Sequence, residues 1–218
     1  MNKIQLEKGL LLVVSAPSGA GKTTICKEVL KILPHLRFSV SCTTRSPREG
    51  EQNGKDYYFI SEDEFRNRIA KGEFIEWAEN YGYLYGTLKK EIKNFVDKTL
   101  DILLDIDPLG AKNLKKNYPE GVFVFILPPS IAILKERLKG RGSEKKDMIK
   151  VRLKKAIEEI NENKWYDYVI FNDSIAAAAS VMEAIYIAEK SKRERSKNKI
   201  NNLFSVHSEM NFSKNGHE

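Results

Sequence analysis

Residues 16–23 read Ala16-Pro17-Ser18-Gly19-Ala20-Gly21-Lys22-Thr23, with Thr24 next. An apolar run over residues 10–15 leads into this stretch and a helix-like segment leaves it, the strand–turn–helix setting of a phosphate-binding loop. Gly19 and Gly21 let the backbone turn tightly enough to aim several N–H groups at one anion, and the following helix adds its positive end. Lys22 supplies a compact cation for the β- and γ-phosphates, and the Thr23 hydroxyl is placed to hold a Mg²⁺ ion between them, partly through water. The expected ligand is a nucleoside triphosphate. The strict form of the loop asks for glycine where Ala16 stands.

Working outward, apolar strand-like runs fall at residues 10–15, 37–41, 100–106, 122–127 and 168–171, separated by helical stretches. Strands alternating with helices predict an α/β fold with a parallel sheet covered on both faces and its active-site groups at the strands' carboxyl ends. Residues 38–94 break the rhythm with Gly, Pro and aromatic residues and read as an inserted, partly β subregion. Inside it, Ser61-Glu62-Asp63-Glu64 is a capping box ahead of a short helix at 65–70, and a second helix is expected over 88–96. Residues 130–163 read as two helices joined at Gly140-Arg141-Gly142, and a last helix starts at Ser174. Beyond about Ile200 no period is sustained, and that end is expected to be frayed.

The 218 residues, 41% hydrophobic, are enough to bury a core as one domain. The formal charge is +7, but residues 190–199 alone carry a net +5, so the remainder is close to balanced. A nucleic-acid partner therefore rests on one short run and is not expected. Cys26 and Cys42 are too few for a disulfide framework and show no metal-ligand spacing with the three histidines. No segment reads as a signal peptide and no apolar run nears the 18 residues of a membrane span, so the expected compartment is a reducing cytoplasm.

A kinase needs an acceptor site. The inserted region carries Ser41-Cys42-Thr43-Thr44-Arg45-Ser46-Pro47-Arg48 and then Gly54-Lys55-Asp56-Tyr57, a cluster suited to a phosphate because each guanidinium fork binds two oxygens at once. Together with SAPSGAGKTT, SVSCTTRSPREGE, GKDYYFI, EFIEWAE, YGT, LLDID, FILPPS and LKGRG, in that order, the chain resembles the guanylate kinases from residue 9 to about 190.

The resemblance implies a P-loop-type core (1–40, 95–133 and 159–190), a GMP-binding insert (41–94), a helical lid (134–158) and a basic, flexible tail (191–218). It implies that Arg45, Arg48, Tyr57 and Tyr85 hold the phosphate of GMP, while Ser41, Glu76, Thr87 and either Asp105 or Asp107 address the base. Guanine presents N1–H and an amino group as neighbouring donors, which a carboxylate such as Glu76 accepts together; adenine has a lone pair at N1 and is repelled. Asp105 and Asp107 share strand parity, so the choice between base and metal stays open between them.

Arg137, Arg141 and Arg152 resemble lid and sensor arginines that converge on the migrating phosphoryl group. Asn172 and Asp173 are placed by resemblance near the adenine; Asp173 reads equally well as a helix N-cap. The implied substrates are ATP with GMP or dGMP. Two departures from the family pattern, Leu84 and Pro108-Leu109-Gly110, are expected near the acceptor site. Protein-binding modules of the same fold are the non-enzymatic alternative, and these have typically lost the loop and lid residues that this chain retains.

Overall fold

The computed structural model describes residues 9–97, 100–139, 146–197 and 200. The Gly140-Arg141-Gly142 break, Arg141 with it, and most of the expected tail lie outside these residues.

The central sheet contains β1 (Leu11–Ser15), β2 (Leu36–Ser39), β7 (Asp101–Asp105), β8 (Val122–Leu127) and β9 (Tyr168–Phe171) in the order β2-β7-β1-β8-β9. Every neighbouring pair is parallel. Every residue of β1 is buried, and β8 is buried from Val122 to Ile126, as the nearly unbroken apolar runs require of strands covered on both faces. On one face, Ile25, Cys26 and Val29 of α1 (Lys22–Ile32) pack with Ala178, Ala179 and Met182 of α7 (Ile175–Lys190). On the other lie Ala111 and Leu114 of α4 (Pro108–Asn117), Ile92 of α3 (Lys89–Asp97) and Tyr166.

The chain leaves β1 for β2 on one side and returns through β7 to β8 on the other. The crevice at the carboxyl ends of β1 and β7 is therefore the topological switch point, where α/β sheets bind ligands.

The second sheet has the order β4-β3-β6-β5, from β3 (Cys42–Thr43), β4 (Tyr58–Phe59), β5 (Phe74–Asn80) and β6 (Tyr83–Leu88). Its own small core joins Cys42, Phe65, Phe74, Leu84 and Leu88, with the Phe65 and Phe74 rings stacked at 4.3 Å. Phe65 belongs to α2 (Glu62–Ala70), whose N-cap Ser61 accepts the Glu64 N–H at 3.2 Å. The Glu64 carboxylate turns to Arg68 one helical turn on, so only the first half of the capping box is closed.

Two boundaries moved for tertiary reasons. Strand β2 ends at Ser39 because Ser41 already belongs to the second sheet, its carbonyl accepting from Tyr58 N at 2.9 Å. Leu88, expected to open a helix, instead pairs with Phe74 at the end of β6. Leu84 was expected near the acceptor site, but it is 4% exposed in the small core and serves packing.

The helices α5 (Ile131–Lys139) and α6 (Lys146–Asn161) pack through Leu134, Leu138 and Ala156. Gly19 lies against this pair: a Cβ there would come 3.0 Å from Leu138 and 3.1 Å from Leu134. Beyond α7, residues 193–197 are helical, and the Arg195 guanidinium donates to Gly9 O at 3.4 Å.

Candidate active site

One cavity of roughly 210 Å³ joins the loop after β1 to the second sheet. On the loop side its wall holds Ala16, Pro17, Ser18, Gly19, Gly21, Lys22, Thr23 and Thr24. Gly21 has φ +94, a region L side chains rarely adopt, and a Cβ there would lie 2.5 Å from the Asn172 amide nitrogen. Backbone shape and packing both require glycine.

The Lys22 ammonium donates to Ile106 O at 2.8 Å and pairs with Asp105. Burial alone would lower its pKa; the Asp105 charge more than reverses this and holds the ammonium protonated well above the ordinary lysine range. The Thr23 hydroxyl donates to the other Asp105 oxygen at 3.3 Å. Asp105 thus faces the phosphate loop.

Asp107 has a different task. It is the N-cap of α4, where strand parity no longer applies: Oδ1 accepts from Gly110 N at 2.7 Å and Oδ2 from the Asn80 amide at 3.4 Å. Pro108 occupies the first turn of that helix, so the segment departing from the family pattern is a helix start beside the acceptor wall.

Across the cavity, Glu76 is 6% exposed, and its Oε1 accepts from the Thr87 hydroxyl at 2.6 Å; Thr87 in turn lies 3.2 Å from the Ser41 hydroxyl. Burial, opposed by the Thr87 hydrogen bond and reinforced by the Asp107 charge, pushes the Glu76 carboxyl up to about 7. Beside it, Tyr57 and Tyr85 meet edge to face with centroids 6.0 Å apart, and the Arg45 guanidinium stands 5.6 Å from the Tyr57 ring centre. Arg45 is held by a two-pronged bond to Glu51, both contacts 2.9 Å, and Glu51 also accepts from Arg48 N at 2.7 Å. Arg48 itself lines the cavity. The hydroxyl of Tyr57 is pushed up to about 12, by burial first and the Asp105 charge second, and stays a donor.

From α6, Arg152 and Glu159 reach the same cavity. Glu159 accepts from Ser18 N at 3.1 Å.

Ala20, Asn172 and Arg137, all expected at the ligand, share contacts behind the loop. Ala20 is fully buried, its N–H spent on Pro17 O at 3.1 Å and its carbonyl accepting from the Asn172 amide at 2.6 Å. Asn172, expected near the adenine, is 1% exposed beneath the loop. Arg137, expected at the migrating phosphoryl group, donates to Ala20 O at 3.2 Å and Asn172 O at 3.4 Å, outside the cavity wall. Asp173 is exposed and does not cap α7; Ser174 does, accepting from Ala177 N. Glu51, Asn80, Tyr81 and Glu159 were not anticipated, since single charged or polar residues in loops, at a strand end and on charged helices carry no local pattern. Among the described residues no cluster of three or more His, Cys, Asp or Glu is arranged to hold a metal.

A phosphate loop at the switch point of a parallel sheet, facing a buried carboxylate and an Arg–Tyr cluster across one cavity, defines a phosphate-loop kinase with a separate acceptor wall. The guanylate kinase sequence profile matches residues 8–189. The guanylate kinase of Geobacter metallireducens is 51% identical over 188 residues, covering 86% of this chain and 93% of the relative. That of Carboxydothermus hydrogenoformans is 52% identical over 190 residues, with 87% and 93% coverage. The crystal structure of guanylate kinase from Anaplasma phagocytophilum superposes with a TM-score of 0.74 at 37% identity, covering 87% of this chain and 90% of that one. The chain belongs to the guanylate kinase family.

Proposed function

We infer that this chain transfers the γ-phosphoryl group of ATP to GMP, releasing ADP and GDP, and accepts dGMP as well. The carrying observation is the single cavity in which Lys22 and the buried Glu76 face each other from opposite walls. Residues 16–24, with Ala20 as the buried support among them, form the donor cradle, with the free loop N–H groups and Lys22 on the phosphates. Arg45, Arg48, Tyr57 and Tyr85 take the acceptor phosphate, while Glu76, with Thr87 and Ser41 behind it, takes the N1–H and amino group of guanine. Asp107 flanks that carboxylate.

Residues 134–158 act as a lid, and Arg152 neutralises charge spreading over the migrating group. Phosphoryl transfer asks little covalent work of a protein, so positioning and charge compensation carry the rate.

Mg²⁺ fits the oxygen donors of this site: the Thr23 hydroxyl would hold it, with Asp105 reaching it through water. When bound, the ion would supply positive charge to offset that of the triphosphate. The partners are small molecules and not a nucleic acid. Among the described residues no helix is long and apolar enough to cross a membrane, and Cys26 and Cys42 are both free and buried, which supports a reducing cytoplasm.

A coupled ADP-release assay with GMP, dGMP, AMP, CMP and UMP tests the reading. Turnover with GMP and dGMP should exceed the others by at least about a hundredfold, since rejected bases leave Glu76 unpaired. Equal rates for all five would remove guanine recognition from this site.

A further inference from the structure

The β5–β6 hairpin tip reaches the lid helix through side chains that the phosphate and guanine contacts do not use. Asn80 stands at the end of β5, and both ends of its amide are committed. Its nitrogen donates to Asp107 Oδ2 at 3.4 Å, and its oxygen accepts from the Lys155 ammonium, on α6, at 2.5 Å. The next residue, Tyr81, has φ +53, a left-handed conformation unfavourable for a non-glycine residue. Its ring sits under two cations of α6, Lys155 at 4.3 Å and Arg152 at 5.5 Å from the centroid. Lys155 follows Arg152 by three residues, so both project from one side of the helix.

On α5 the helix α6 rests through Leu134, Leu138 and Ala156, with Ile149, Leu153 and Ile160 around them, and toward the phosphate loop its Glu159 accepts from Ser18 N. The hydrophobic driving force behind the apolar contacts is non-directional. The hydrogen bond and the ring contacts at the hairpin tip are directional. They meet α6 beside Arg152, which lines the cavity.

We propose that Asn80 and Lys155 form a clasp that ties the acceptor wall, through Asp107, to the rotation of the lid helix, and that both are positioning residues aiming Arg152 at the migrating phosphoryl group. This rests on the reading of the Glu76–Asp107 wall as the acceptor site. With the acceptor seated against Asp107, the carboxylate oxygen that Asn80 binds is immobilised, Asn80 is held with it, and Lys155 brings α6 into register. With the wall empty the same chain of contacts is looser and Arg152 is less often in line. The clasp thus makes transfer conditional on the acceptor.

Steady-state kinetics with ATP and GMP varied separately, alongside thermal melts, test this on the full chain. Lys155→Met keeps the length of the side chain and removes its donor; Asn80→Leu removes the other half. Each should lower kcat roughly ten- to a hundredfold, the scale of a misdirected catalytic group, with KM for ATP within about twofold and Tm within a few degrees. Lys155→Arg should keep kcat within about threefold of the parent, because it restores both the charge and a donor.

The double variant should be no slower than the slower single, as residues acting through one contact are not additive. Unchanged kcat in the single variants would overturn the clasp. Multiplying losses in the double variant would do so too, as would a kcat loss that follows a falling Tm. The acceptor reading fails separately: if the parent protein prefers another monophosphate, the same comparison is run with that acceptor and still decides the clasp.

Discussion

Gly110 stands so close to Glu76 that a Cβ added to it would lie 2.5 Å from the Oε2 of that carboxylate. The second oxygen of Glu76 therefore occupies space that only a missing side chain on α4 leaves open. Gly110→Ala should improve the helix by about 1 kcal/mol on propensity alone, yet push the carboxylate off its place. The expected outcome is a rise of roughly ten- to a hundredfold in KM for GMP, the scale of one lost charge-assisted hydrogen bond. KM for ATP and Tm should be little changed. Steady-state kinetics with each substrate varied in turn separate these effects, and an unchanged KM for GMP would mean the carboxylate has another route to the base.

The titration of Glu76 gives a second expectation. Its carboxyl is raised to about 7 in the folded chain, from an ordinary value of 4.5, by burial first. In the proposed reading guanine is bound by the ionised form, so KM for GMP should climb as pH falls below about 7, approaching tenfold per unit. KM for ATP should stay flat over that range. The folded state holds the Glu76 proton more tightly than the unfolded chain does. The group's contribution to stability is therefore lost as pH rises from 4.5 through about 7, and the full cost, of order 3 kcal/mol, remains above that. Glu76→Gln should flatten the KM profile and raise Tm at pH 8 more than at pH 5, measured by calorimetry across pH.

Much of this was legible before any coordinates, for identifiable reasons. Strands β1 and β8 are unbroken apolar runs, which a doubly covered sheet demands, and Gly19, Gly21, Lys22 and Thr23 follow one of them at loop spacing. The Arg45 and Tyr57 segment stood out because charge and aromatic residues interrupt the strand–helix rhythm. What escaped was carried by tertiary contact. Asn172 and Arg137 differ from ligand-binding residues only in pointing at the carbonyl of Ala20 rather than into the cavity. Asp105 and Asp107 share a parity that holds only while the strand lasts, and Asp107 has already left it for a helix cap. Lys155 and Glu159 sit on a helix so rich in charge that no single residue could be singled out.

The loop's dependence on Asn172 yields a third prediction. Gly21→Ala adds a methyl where φ is +94 and the Asn172 amide nitrogen would be 2.5 Å away. It should destabilise folding by about 2–3 kcal/mol and weaken ATP binding at least tenfold. In a Gly21→Ala, Asn172→Ala double variant the clash is gone and the backbone strain remains, so only part of the loss should return. Urea unfolding and calorimetric titration with a non-hydrolysable ATP analogue report the two quantities independently.

Lys22 and Asp105 separate catalysis from stability. The side chains are 19% and 6% exposed, so Lys22→Met leaves a nearly buried carboxylate with only the Thr23 hydroxyl and water to satisfy it. Breaking one half of a buried pair in this way should cost about 3 kcal/mol, at the low end for such pairs because Thr23 remains. The variant should stay folded at neutral pH, and its turnover should fall by at least about a thousandfold, since the cation that meets the migrating charge is gone. Adding Asp105→Asn removes the stranded charge and should recover most of the stability measured by urea unfolding. It should recover none of the turnover. If the double variant regained activity along with stability, the loss in Lys22→Met would have come from a distorted loop, and Lys22 would have no direct part in phosphoryl transfer.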